Sequence, residues 1–166
     1  MVVEEILLLG MRLCLVILLV VLVLIIQVLD IERSYNVAIG DMAGFRIMSG
    51  SSNVLVGYEA GKYTTGSANT FIGYTAGYGG LGNSFPYSSG QSNVAVGFES
   101  LKNFTTGGTN TAVGRGSLYA LTTGTKSTAV GYLAGSAMTT AIGNTFIGYE
   151  AGKQSLASYN TIIGDR

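Results

Sequence analysis

The 166-residue chain is predicted to fold as an all-β solenoid, a stack of parallel strands in coils of about 17 residues, preceded by a hydrophobic helix. A five-residue block, Asn-(Val/Thr)-apolar-(Val/Ile)-Gly, begins at Asn36, Asn53, Asn69, Asn93, Asn110, Ser127, Asn144 and Asn160, with serine replacing the asparagine once. The steps between these starts are 17, 16, 24, 17, 17, 17 and 16 residues. A unit this short cannot bury an apolar face by itself, so the coils above and below must complete its core. The second observation is a glycine closing every block, and the third is β-branched side chains on either side of its centre.

The chain divides into residues 1–33 and 34–166. In the first part, residues 13–26 are fourteen consecutive apolar positions, and the apolar region 6–29 is broken only by Gly10, Arg12 and Gln27. As a helix it would span roughly 36 Å, enough for a hydrocarbon core of about 30 Å. With no polar stripe it must be covered on all sides. The expectation is an uncleaved membrane anchor with Arg12 on the cytoplasmic side. A cleaved signal peptide is a second reading, although residues 27–32 offer no small-x-small cleavage site and Glu4 and Glu5 do not suit a basic leader. A helix buried among copies of itself is the third.

Within the repeat, position 1 is the asparagine, whose amides are expected to stack along the axis about 4.8 Å apart and hydrogen-bond from coil to coil. Position 2 (Val37, Val54, Thr70, Val94, Thr111, Thr128, Thr145, Thr161) and position 4 (Ile39, Val56, Ile72, Val96, Val113, Val130, Ile147, Ile163) are always β-branched, which suits a pleated strand. They share one face, and position 3 points to the other. Position 3 holds Ala38, Leu55, Phe71, Ala95, Ala112, Ala129, Phe146 and Ile162, so both faces are apolar and both should be buried. A coil has one inside. The stripe of position-3 residues is therefore expected to be covered by sister chains, most simply in a parallel homotrimer.

Position 5 is always glycine, as a turning coil requires at a strand end. Position 6 is aromatic in five copies and Asp41, Arg115 or Asp165 in the others, which reads as an outer site. Position 8 is always Ala or Ser, position 9 is Gly or Leu, and Thr-Thr-Gly at 64–66, 105–107 and 122–124 closes the unit as a turn. The long step places an insertion at 78–90, with the single proline, Pro86. Insertions in solenoids fall on one face, so Tyr78, Phe85 and Tyr87 are candidate exposed contact residues.

Composition narrows function. Lys+Arg and Asp+Glu are nine each and only 11% of residues are charged, so no nucleic-acid partner is expected. Histidine is absent and Cys14 is the single cysteine, which removes internal disulfides, thiolate metal clusters and the usual catalytic base. No strand–GxGxxG–helix context exists for a nucleotide. No catalytic residue, cofactor or metal is therefore expected. The pairs Glu59–Lys62, Glu99–Lys102 and Glu150–Lys153 recur at one offset and read as surface ion pairs.

The segments SNVAVGFESLKNFTTG (92–107) and TNTAVGRGSLYALTTG (109–124) resemble the YadA-like head repeat of trimeric autotransporter adhesins, and more closely the NTAVGYxAGxxxTTG variant of phage tail fibres and large bacterial surface proteins. The resemblance covers residues 34–166. It implies a left-handed parallel β-roll, three chains side by side, and a role in adhesion or as a fibre shaft. The stalk, membrane β-barrel and self-cleaving chaperone segments of those families have no counterpart in residues 34–166, and the break just after the eighth block is expected to leave an unpaired edge, so that either the sequence is a fragment or another subunit covers the end. The expected function is a non-enzymatic, membrane-anchored fibre or adhesin at the cell surface, about 35–40 Å long, meeting a host-surface protein or glycan. The alternative is a virion tail-fibre shaft.

Overall fold

A computed structural model describes residues 35–80 and 87–166. The predicted helix at 6–29 and Phe85 lie outside the described residues. Eight three-residue strands make one parallel sheet in sequence order: β1 (Val37–Ile39), β2 (Val54–Val56), β3 (Thr70–Ile72), β4 (Val94–Val96), β5 (Thr111–Val113), β6 (Thr128–Val130), β7 (Thr145–Ile147) and β8 (Thr161–Ile163). Each strand pairs in register with the next, position 2 on position 2 and position 4 on position 4. The fold is all-β, a parallel solenoid of about 17-residue coils, as the repeat predicts.

Further ladders run along the axis outside the strands. The position-9 amide donates to the position-8 carbonyl of the following coil, as in Gly61 to Ala76 (3.0 Å) and Leu101 to Ser117 (2.9 Å). Near the closing turn Thr105 donates to Thr122 (2.9 Å) and Thr122 to Thr139 (2.8 Å). Backbone polar groups buried by stacking are thereby satisfied between coils.

The position-5 glycines stand in a column where φ runs from +121° to +138°. A Cβ on Gly114 would lie 2.4 Å from the carbonyl oxygen of Gly131, and one on Gly57 would lie 2.5 Å from that of Gly73. Only glycine permits both the turn and this approach.

The asparagine row stacks as expected, with an added role. Asn53, Asn69, Asn93 and Asn110 each donate their backbone N–H to the Oδ1 of the preceding asparagine at 2.9–3.0 Å. Their Nδ2 groups donate to turn carbonyls, Gly66, Gly90, Gly107 and Gly124 respectively, at 2.9–3.1 Å. Each side chain thus links strand to turn as well as coil to coil, and all four are buried.

The assignment of faces is reversed. Ala38, Leu55, Phe71, Ala95, Ala112, Ala129 and Phe146 lie inside the single chain, between 0% and 4% exposed, while positions 2 and 4 face outward and are half-buried to exposed. Only Ile162, on the terminal strand β8, is exposed, at 38%. The position-3 stripe is therefore core and not the interface expected of it. In strands of three residues only the central side chain can enter the narrow coil. Positions 8, 9 and 12 supply the opposite wall, including Ala60, Leu101, Leu118, Phe104, Leu121 and Met138.

Core volume is balanced within coils. Leu55, Phe71 and Phe146 are each paired with a position-9 glycine, and a Cβ on Gly77 would sit 2.4 Å from the Phe71 ring. Where position 3 is Ala95 or Ala112, position 9 is instead Leu101 or Leu118, both fully buried. Where both positions are small, as Ala38 with Gly44 and Ala129 with Gly135, the space is filled by Ile47 and Met138 at position 12 and by Leu55, Leu118 and Phe146 of adjacent coils.

Candidate functional site

Three outward features carry chemistry. The first is the strand face itself. Position 4 is aliphatic in every coil, forming one continuous column from Ile39 to Ile163, and position 2 beside it turns from Val37 and Val54 to threonine in five later copies. Ile39, Ile72 and Ile147 are each 39% exposed.

The second is the position-6 column. Tyr58 stacks on Tyr74 and Tyr74 on Phe98, each pair 5.1 Å between ring centroids, with interplanar angles of 14° and 7°. Tyr132 stacks on Tyr149 at 5.0 Å. Between the two groups the Arg115 guanidinium lies 5.4 Å from the Phe98 ring and 5.7 Å from the Tyr132 ring, so a cation continues the stack. The sequence reading placed position 6 outside, and it is; the stacking itself follows from register and needed no further signal. Its consequence is chemical. The inner ring faces are taken by neighbouring rings or by Arg115, which leaves their edges and hydroxyls to solvent.

The third feature surrounds the insertion. The chain leaves the coil path after Gly80, whose N–H donates to the Phe104 carbonyl (3.0 Å), and rejoins it at Ser88, which bridges Thr64 and donates its hydroxyl to the same Phe104 carbonyl. Tyr63, itself buried, meets Tyr78 edge-on at 5.1 Å and stacks on Tyr87 at 5.9 Å. Tyr78 and Tyr87 are thus half-buried clasps at the two ends of the insertion, where the sequence had them exposed. Burial pushes the Tyr78 phenol up to about 12, and its hydrogen bond with Tyr63 adds to the rise.

Beside this clasp lies a cleft of about 410 Å3. Position 7 supplies Glu59, Thr75 and Glu99 from successive coils, tied by backbone bonds from Thr75 to Tyr58 and from Glu99 to Tyr74 at 2.9 Å. Across the cleft stand Tyr78, Lys102, Asn103 and Tyr119. Lys62 and Lys102 pair with Glu59 and Glu99 at 2.5 Å, and Lys153 with Glu150 at 2.8 Å. The predicted ion pairs form, though they are less solvated than surface pairs: the Glu59 and Lys62 side chains are only 14% and 12% exposed. Lys102 also lies 5.7 Å from the Tyr119 ring.

Thr75 is the anomaly of the cleft. It is 4% exposed, and its Oγ1 is the single buried side-chain polar atom among the described residues without a hydrogen-bond partner. Its φ is +48°, left-handed for a β-branched residue. The other position-7 residues are Met42, Glu59, Glu99, Gly116, Leu133, Glu150 and Arg166, none β-branched. The unmade bond costs about 1–3 kcal/mol and the backbone a further ~1–3 kcal/mol. The sequence signal was there, a lone threonine in a column otherwise free of β-branching, but nothing in the pattern said that its hydroxyl would be buried.

No protein-family model matches the chain, and neither a curated protein nor a solved structure matches it. Among the described residues no helix is long and apolar enough to cross a membrane, and no three Cys, Asp or Glu side chains are grouped as metal ligands.

Proposed function

We propose that the chain is a non-enzymatic structural fibre or adhesin, a homotrimer of parallel solenoids held at the cell surface by residues 6–29. The observation that carries the reading is the unbroken aliphatic column at position 4. A row of eight β-branched side chains on one outer face of a rod is a larger apolar stripe than a lone chain usually presents, and packing it against the same face of sister chains covers it without altering the core. Sister chains would then meet on the face of the strands opposite to position 3. Stacked coils give length, ladders give stiffness, and a neutral surface avoids non-specific adhesion to polyanions.

The test is the mass of the full chain in mild detergent by light scattering corrected for bound detergent. The expected protein mass is about three times the 17.2 kDa of one chain. Val113→Lys together with Val130→Lys should give single chains with unchanged β-structure by circular dichroism. A single-chain mass for the unaltered protein, or a three-chain mass for the lysine variant, refutes the reading. Labelling of intact cells with an impermeant amine reagent checks the location, since the exposed Lys126 should react if the rod is outside.

A further inference from the structure

We propose that the cleft bounded by Glu59, Thr75, Glu99 and Tyr119 binds a neutral, hydroxyl-rich sugar unit. The inference rests on the surface-fibre reading above and names the chemistry that such a fibre would recognise. Its volume of about 410 Å3 falls within the range of about 300–1,000 Å3 typical of small-molecule sites. Its charges cancel: each lysine engages Oε1 of the glutamate three residues before it. A cleft whose acids and bases are already paired attracts neither a phosphate nor a divalent cation. What it offers is hydrogen bonding, from the second oxygen of each carboxylate, the Asn103 amide and the Tyr78 phenol.

Two observations orient the ligand. Thr75 stands in the cleft wall with its Oγ1 buried and without a protein partner, so a ligand hydroxyl that draws this group out by rotation about χ1 would relieve a cost that the fold carries. Both faces of Tyr74 are covered by Tyr58 and Phe98, so it presents only an edge. Tyr119 belongs to no ring pair among the described residues, and with Lys102 Nζ 5.7 Å from its centroid it is the cleft ring that can still take the C–H face of a sugar ring, on the side away from Lys102. Hydroxyls directed at carboxylate and amide, with a C–H face on one aromatic ring, is the complement of a pyranose.

The experiment uses the full chain in a zwitterionic detergent, because alkyl glycoside detergents would present sugar to the site. Saturation-transfer NMR is recorded with glucose, galactose, mannose and N-acetylglucosamine, each up to ~50 mM, a range that detects affinities of a few kcal/mol. At least one should show transfer. Tyr119→Ala, Glu99→Gln and Thr75→Val should each weaken it about tenfold, the effect of losing one ligand contact, with circular dichroism unchanged. The proposal is overturned if none of the four binds, if binding is indifferent to all three substitutions, or if calcium or inorganic phosphate alone shifts these residues while the sugars do not. Sugar binding and chain mass are separate readouts. A three-chain mass without sugar binding removes this site and leaves the fibre, whereas sugar binding by a single chain removes the fibre and leaves the site.

Discussion

Exchanging the large and small members of one coil tests the packing argument most severely. Ala112 and Leu118 share a coil and are both fully buried. Two coils away Phe71 faces Gly77, the opposite distribution of the same volume. Ala112→Phe alone forces a ring into a filled interior, and overpacking of this size costs about 3 kcal/mol. Leu118→Gly alone empties a core leucine, about 2–5 kcal/mol, offset by ~1 kcal/mol because Leu118 sits at φ +49°, which glycine adopts freely. The two changes taken separately therefore sum to about 5 kcal/mol.

Made together they reproduce the position-3 and position-9 pair of the Phe71 coil while Leu121 stays in place, and the expected cost falls to about 2 kcal/mol, a coupling of about 3 kcal/mol. Urea unfolding followed by far-ultraviolet circular dichroism, with a slope of ~2 kcal/mol per molar, would place the double variant about 1 M below the unaltered protein and the sum of the singles about 2.5 M below. A double variant as unstable as that sum would show that the coils do not share one interior volume, and the face assignment would fall with it.

The backbone column gives a sharper contrast at two glycines of the same coil. Gly114→Ala drives a Cβ to 2.4 Å from the Gly131 carbonyl and should cost about 3 kcal/mol or more, whereas at Gly116, φ +63°, the closest obstacle is the Leu133 side chain and alanine should cost about 1 kcal/mol; equal melting shifts would contradict this. Ser127 interrupts the asparagine row, and Asn144 turns its Nδ2 to the Met138 sulfur at 3.1 Å. Ser127→Asn supplies the missing donor to the turn and should stabilise by about 1 kcal/mol, measured as a higher urea midpoint. The raised Tyr78 phenol binds its proton more tightly in the folded chain, so its contribution is complete below pH 10 and is lost as pH climbs towards about 12. An alkaline titration should show loss of structure in that window, absent in Tyr78→Phe. At the acid end, hydrogen bonding to Lys153, with Arg166 beside it, holds the Glu150 carboxyl below its ordinary 4.5, so its contribution is present above that pH and fades below it.

Strand positions, parallel order, the glycine column and the asparagine row were all legible in the sequence because each is a backbone requirement repeated eight times. The facing of the strands was misread for a physical reason. Position 4 is Val or Ile in every copy and position 2 is always β-branched, and such constancy resembles a core. Yet β-branched residues also suit the exposed face of a strand. The true core position varies from Ala95 to Phe71, and in five of seven coils position 9 varies inversely, as Gly77 against Phe71 and Leu101 against Ala95, with Ala38 beside Gly44 and Ala129 beside Gly135 the exceptions. That inverse relation was present in the sequence and would have revealed the inside. The cleft was less legible, since it depends on which side chains from four coils converge beside an insertion.

A rod made of repeats presents the same groups at every level, which makes it stiff and poorly suited to recognising anything in particular. The position-6 column illustrates the point: its rings are exposed, but register stacks them against each other and consumes the faces that a ligand would need. Distinct chemistry must come from departures, and in the third coil several coincide. It carries the 24-residue step, the β-branched residue at position 7, and Gly79–Gly80 where other coils place side chains. The ladders on either side keep that coil in register, with Gly79 held by Lys102 and Gly80 by Phe104 at 3.0 Å. Neighbouring coils therefore bear the strain at Thr75, and the uniform part of the solenoid is what allows one irregular coil to persist.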